Sequence, residues 1–297
     1  EDLSLNISRE TLQHDGQLKL IAKTLEKKIK SELEKMLRDE REAYEEFFKA
    51  FGIQLKFGIY NDYGAHKETL RDLLIFRSSN EKKYVTLKEY VSRMKEGQDS
   101  IYYACGETDE KIDMLPQTDA VKDKGYEILY LTENVDEFAL KMLAEYDGKK
   151  FVNICDNDLN LDSEDEKKAL EEENTAAKDM FEAMKESLGD KINAVRFTNK
   201  LKDHPVCLTS EGGISLEMEK VLNSMPGAEQ NKVKAQLVLE INANHPIAEK
   251  LKTLYNEDKD TLGKYAKLLY GEACLIGGKS VPDPAEHSAL VCELMTK

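Results

Sequence analysis

The sequence predicts a mixed α/β fold, α+β overall, with helix dominating both ends. Three observations predict it. Apolar residues recur at helical spacing over residues 17–51, short strand-like runs alternate with helical stretches over 100–154, and most of the chain beyond residue 213 is helix-periodic. The 297 residues suffice for two domains with real cores, and 40% hydrophobic with 34% charged residues fits a water-soluble globular chain.

Over 17–51 the residues Leu18, Ile21, Leu25, Ile29, Leu33, Met36 and Leu37, then Tyr44, Phe47, Phe48 and Phe51, form one stripe. They predict one long helix or two with a buried face, stopped at Gly52. Short helices over 68–76 and 87–94 are expected to pack against it as a three-helix layer. The runs 101–104, 127–131 and 151–154 alternate with helical stretches over 109–124 and 135–146, which predicts a small αβα layer of parallel strands joined by βαβ crossovers. Gly125 and Gly148 stand where left-handed caps would close these two helices.

An acidic stretch, 156–173, marks a composition change and divides the chain into expected domains of 1–158 and 159–297. Ser163 and Glu166 have the spacing of a capping box, and Leu170, Ala177, Phe181, Met184 and Leu188 share the face of the helix that follows, which Gly189 ends. The runs 194–197 and 206–209 predict a small antiparallel sheet of two strands, and helices are expected over 214–225, about 230–240, 247–255, 261–276 and 285–295. Gly277-Gly278 closes the penultimate helix, and Asp283-Pro284 supplies a cap and a first-turn proline for the last.

Charge and composition exclude several function classes. A formal charge of -15, from 58 acidic against 43 basic residues, opposes nucleic acid and anionic membrane surfaces, so neither is an expected partner. No apolar run approaches the roughly 18 residues that span a bilayer. Five scattered cysteines, at 105, 155, 207, 274 and 292, form no C-x-x-C pair, and the five histidines lack zinc-ligand spacing, so no metal site is expected. Asp156 and Asp158 are a carboxylate pair without a second ligand set nearby, and their run reads as a solvated helix start. Neither G-x-x-x-x-G-K-[ST] nor G-x-G-x-x-G occurs. A self-sufficient α/β enzyme would have to use Cys105 or Cys155 at the strand ends, and neither has a histidine near it in sequence.

The first 13 residues, EDLSLNISRETLQ, place Arg9 and Gln13 four residues apart at the mouth of the long helix. A guanidinium always carries charge and offers five donors in a fixed fork, which suits a terminal phosphate. Leu5, Asn6, Ile7, Ser8, Arg9, Glu10, Leu12 and Gln13 fit the pattern LN-hydrophobic-SRE-x-LQ. That pattern resembles the catalytic loop of the 90-kDa heat-shock protein chaperones, an ATP-driven family. YVSRMKEGQDSIYY at 90–103, YDGK at 146–149 and LEINANHPI at 239–247 carry the resemblance along the chain. Thr11 stands where the family often has Met, and His14 where it often has a second Gln.

The resemblance implies a middle plus C-terminal piece of a bacterial-type, cytoplasmic member: the end of a large αβα layer, the helical layer, the small αβα layer and a mostly helical C-terminal dimerisation domain. It implies that Arg9 stabilises charge on the terminal phosphate of ATP, held with Mg in an N-terminal domain outside this sequence, and that Gln13 helps hold the loop. The piece itself is expected to bind no cofactor and to hydrolyse no ATP. Met218, Leu222 and Met225 lie on one face of the 214–225 helix, where flexible methionines suit varied client proteins. Leu262, Tyr265, Leu269, Ile276, Leu290 and Leu294 on the last two helices are the expected two-fold homodimer interface, a four-helix bundle. The ending Met295-Thr296-Lys297 lacks an acidic Glu-Glu-Val-Asp tail, so docking of tetratricopeptide co-chaperones is not implied. The alternative is a dimeric structural scaffold in which Arg9 does no chemistry.

Overall fold

The computed structural model describes residues 16–156, 159, 161–228 and 232–296. The long stripe becomes two helices, α1 (Gly16–Asp39) and α2 (Arg41–Asn61), separated where Glu40 leaves helical geometry. Gly52 lies inside α2 rather than at its end. A Cβ there would stand 2.7 Å from the Phe48 ring, so glycine makes room for the aromatic beneath it. The chain turns instead at Tyr63 and Gly64, both at positive φ. Only α2 has the buried stripe expected of both helices, with Tyr44, Phe48 and Ile59 in the core. Along α1 the apolar side chains Leu20, Ile21, Leu25 and Ile29 are exposed, and only its C-terminal end, at Leu33, Met36 and Leu37, reaches the core.

A short helix α3 (Lys67–Leu70) follows, then a six-stranded mixed sheet. Its strands are β1 (Ile75–Ser78), β2 (Tyr84–Thr86), β3 (Ser100–Cys105), β4 (Ile128–Leu131), β5 (Glu145–Tyr146) and β6 (Lys149–Asn153), in the spatial order β2-β1-β4-β3-β6-β5. The predicted parallel centre is present: β3 pairs parallel with both β4 and β6. The edges were not predicted. Ile75 and Phe76 belong to β1, antiparallel to β2 and β4, and not to a helix over 68–76. Gly148 does not cap a helix; with Asp147, also at positive φ, it turns the β5–β6 hairpin. Gly125 does adopt positive φ just beyond its helix.

Period-two alternation sorts β3 cleanly between two cores. Ile101 and Tyr103 face α2, α4 (Leu87–Ser92) and α7 (Asp136–Leu143), while Tyr102 and Ala104 face α5 (Asp109–Asp113) and α6 (Gln117–Asp123). Thr86 and Glu89 close a capping box at the start of α4.

The remaining chain builds a separate core around a three-stranded sheet. The single helix expected here is split at Ala177 into α8 (Glu164–Ala176) and α9 (Lys178–Leu188), and the Ser163–Glu166 capping box is present. The strands β7 (Ala194–Thr198) and β8 (Val206–Glu211) are not neighbours. Between them lies β9 (Gln236–Asn242), parallel to β7 and antiparallel to β8, where a helix over about 230–240 was expected. The last helices are α10 (Leu216–Ser224), α11 (Pro246–Glu257), α12 (Lys259–Ile276) and α13 (Pro284–Met295). Asp283 caps α13 through the Glu286 amide, with Pro284 in the first turn as expected.

Candidate functional site

Arg9 and Gln13 lie outside the described residues. The other predicted residues fall into two places, the face of α10 and the pair α12–α13.

Helix α10 begins because the Ser215 hydroxyl accepts a hydrogen bond from the Met218 amide at 3.1 Å. Its middle is anchored to the β9 side: the Ala235 amide donates to Glu219 at 2.7 Å, and Asn223 exchanges two hydrogen bonds with the Val233 backbone. Met225 is 44% exposed, whereas Leu222 is half-buried. Met218 is half-buried too. With Val221 it lines a narrow crevice against Leu131, Thr132 and Phe138 of the first sheet region. Met218 and Leu222 therefore share α10, while Met225 is the extended residue just beyond its end, and the three do not share an environment.

On α12, Leu262 is 1% and Leu269 4% exposed, both in the core around β9. Within the single chain neither keeps exposed surface, because the chain's own core takes both side chains. Leu290 is nearly buried, while Tyr265 and Leu294 are partly open. Ile276 faces elsewhere, lining a cleft of about 670 Å³ with Leu275, Met114 and Pro116. The exposed face of α13 is instead Ala285, Ser288, Ala289, Cys292 and Met295. The two helices approach closely at Gly271, where a Cβ would meet the His287 ring at 2.2 Å.

Cys105 and Cys155, the two candidate nucleophiles, are disfavoured as thiolates. Burial, with Glu137 close by, pushes the Cys105 thiol well above its usual range. Burial pushes Cys155 up to about 12. Neither ionises near neutral pH, so neither provides the thiolate that covalent catalysis needs. No group of three or more metal-ligating side chains occurs among the described residues, and no described helix is long and apolar enough to cross a membrane. A second cleft, of about 650 Å³, lies between α8, α9 and β7, with Lys178, Phe181, Arg196 and Glu240 on its walls. There Glu240, 1% exposed, holds Arg196 at 2.6 Å.

Two buried carboxylates at the start of α7 are features that sequence reasoning missed. Asp136 pairs with Lys56 of α2 at 2.5 Å, both side chains nearly dry, and the Lys56 ammonium lies 5.3 Å from the ring centres of Phe48 and Phe76. Burial holds the Asp136 carboxyl above its ordinary range, and Lys56 offsets this only in part. Glu137, 3% exposed, accepts hydrogen bonds from Tyr103 at 3.2 Å, from Asn153 at 2.9 Å, and from the Ser215 hydroxyl. Adjacent acids in a first helical turn read only as partners of the helix dipole. Ser215 is 78 positions away, and nothing local pointed to it.

The fold and these surfaces define a three-core α/β scaffold that presents an amphipathic helix and a terminal helix pair. The chain belongs to the Hsp90 family: the family model described as "Hsp90 protein" matches residues 1–297. "Chaperone protein HtpG" of Bacillus subtilis (strain 168) is 55% identical over 295 residues, covering 99% of this chain and 47% of that relative. The proteins of the same name from Clostridium perfringens and Clostridium acetobutylicum are 55% identical over 295 and 294 residues, each covered to 46%. The chain thus spans about half the length of the curated relatives it matches.

Proposed function

We propose that this chain forms the middle and C-terminal parts of an ATP-driven, stress-related molecular chaperone of the bacterial cytoplasm, with domains at 1–158 and 159–297. The observation that carries the reading is the family match across the whole chain, alongside relatives named as chaperones and about twice as long. The separate cores support a division within the acidic stretch, where Leu159 and Leu161 still pack with the first part and Leu170 with the second. Arg9 and Gln13 serve ATP and Mg held by an N-terminal region outside this sequence, and the guanidinium neutralises charge that develops on the terminal phosphate. Client proteins bind the apolar face of α10 at Met218 and Leu222, together with Met225 just beyond the helix end, the most accessible of the three. Two copies pair through α12 and α13. The small exposed face Ala285, Ser288, Ala289 and Cys292 allows close helix approach, and Tyr265, Leu294 and Met295 flank it. The exposed stripe of α1 is the edge of the larger αβα layer, completed by preceding sequence.

The test is Arg9→Ala in a full-length protein that carries this chain. Turnover falls by roughly 1,000-fold, as for other arginines supplied to a transferring phosphate, while nucleotide affinity changes little. Unchanged turnover would favour the purely structural scaffold.

A further inference from the structure

Two side chains of α7, Glu137 and Lys141, stand four residues apart and so share a face of that helix. Both grip the segment that leads into α10. Lys141 donates to the Gly213 carbonyl, and Glu137 accepts from the Ser215 hydroxyl that caps α10. The segment between the end of β8 and this cap is Gly212-Gly213-Ile214: the two glycines are at positive φ, a conformation that glycine adopts without strain, and Ile214 packs against the core around β9. At Gly213 no atom would meet an added Cβ within 4 Å, while at Gly212 the nearest neighbour is the end of the Gln236 side chain at 3.3 Å. Immediately beside the grip, Met218 and Val221 lie over Leu131, Thr132 and Phe138.

We propose that Glu137 and Lys141 form a latch that holds the start of α10 against the first sheet region and keeps Met218 covered. Its release about Gly212-Gly213 would add Met218 to the client-binding face. Glu137 is here a positioning residue: it touches no client, and it acts through Ser215 and the seating of α10. The buried polar set is mutually satisfied when closed, since Tyr103 and Asn153 hold one carboxylate oxygen while Ser215 takes the other. Opening exchanges the Ser215 contact for water and exposes an apolar seam, so the closed state dominates until something else binds that seam. A client segment with apolar side chains has the chemistry to do so. This proposal rests on the reading of α10 as a client-binding helix, but the latch can be tested without any client.

The experiment is methionine oxidation footprinting of the full-length protein by mass spectrometry, with the exposed Met225 as internal reference for the half-buried Met218. Glu137→Gln replaces the accepting oxygen or its charge, and Lys141→Met removes the second grip at a side chain outside the core. Each should raise the Met218 to Met225 oxidation ratio about tenfold, the population shift expected on losing one hydrogen bond to a charged group. Ser215→Ala combined with Glu137→Gln should raise it no further than the stronger single variant, because both break the same contact. A ratio unchanged within about twofold in the Lys141→Met and Glu137→Gln proteins overturns the latch; if Glu137→Gln fails to fold, Lys141→Met decides alone. A raised ratio without any gain in suppression of client aggregation leaves the latch standing and counts against the client reading of α10.

Discussion

Replacing Lys56 by Met leaves Asp136 ionised and unpaired in a dry site, and the structure sets the size of the effect. The pair is separated by 2.5 Å, with side chains 6% and 2% exposed, so little water can take the lysine's place. Breaking a buried pair from one side costs about 3–5 kcal/mol. For a unit of this size that lowers the melting temperature by roughly 10 °C. The sign of the pH dependence is fixed as well. Burial already raises the Asp136 carboxyl in the intact pair, and without the ammonium it rises further. The penalty belongs to the ionised form, so it is largest at neutral pH and shrinks as acid protonates the carboxyl. Adding Asp136→Asn should recover more than half of the loss, because the uncompensated charge is then gone. Urea unfolding of the parent, the single and the double variant at pH 7 and pH 5 measures all of this. A Lys56→Met loss below about 1 kcal/mol at pH 7, or a loss no smaller at pH 5, would refute the claim that this pair is dry and mutually dependent.

Other perturbations have equally definite outcomes. Gly271→Ala should cost about 1–3 kcal/mol and speed hydrogen exchange across α13, since the new methyl group meets the His287 ring; unaltered exchange there would show that the ring simply swings aside. Asp156, pushed up to about 6 by burial with only partial relief from Lys141, opposes folding once it must ionise. Below its ordinary 3.8 the group is protonated in both states; between 3.8 and about 6 stability falls as pH rises, and above that the penalty is complete. Asp156→Asn should therefore flatten the profile over that window and gain on the order of 2 kcal/mol at pH 7, and a parallel pair of stability curves would contradict it.

What the sequence disclosed was mostly local. The Ser163–Glu166 box, the Asp283-Pro284 start and the parallel strands β3, β4 and β6 were legible because each signal lies within a few residues. Strand β9 was misread because a central strand buried on both faces, with Leu237, Val238 and Leu239 adjacent and Ile241 just after Glu240, shows a nearly unbroken apolar run rather than alternation. Ile75 and Phe76 were absorbed into a helical stretch for a related reason: two adjacent apolar residues satisfy either period. Periodicity also found the α1 stripe without saying what covers it, and it marked Leu262 and Leu269 as apolar without telling core from interface. The Arg9 loop was read from its motif alone. The Glu137, Lys141 and Ser215 cluster had no sequence signal, because its partners stand 72 and 78 positions apart in the chain.

The central claim is that the terminal helix pair joins two copies of the chain. Sedimentation equilibrium of the 297-residue chain at micromolar concentration tests it most directly. The account predicts twice the 33.8 kDa of a single chain, falling to one chain when Ala289→Glu places a charge on the exposed face of α13. A parent protein that sediments as a single chain would contradict it.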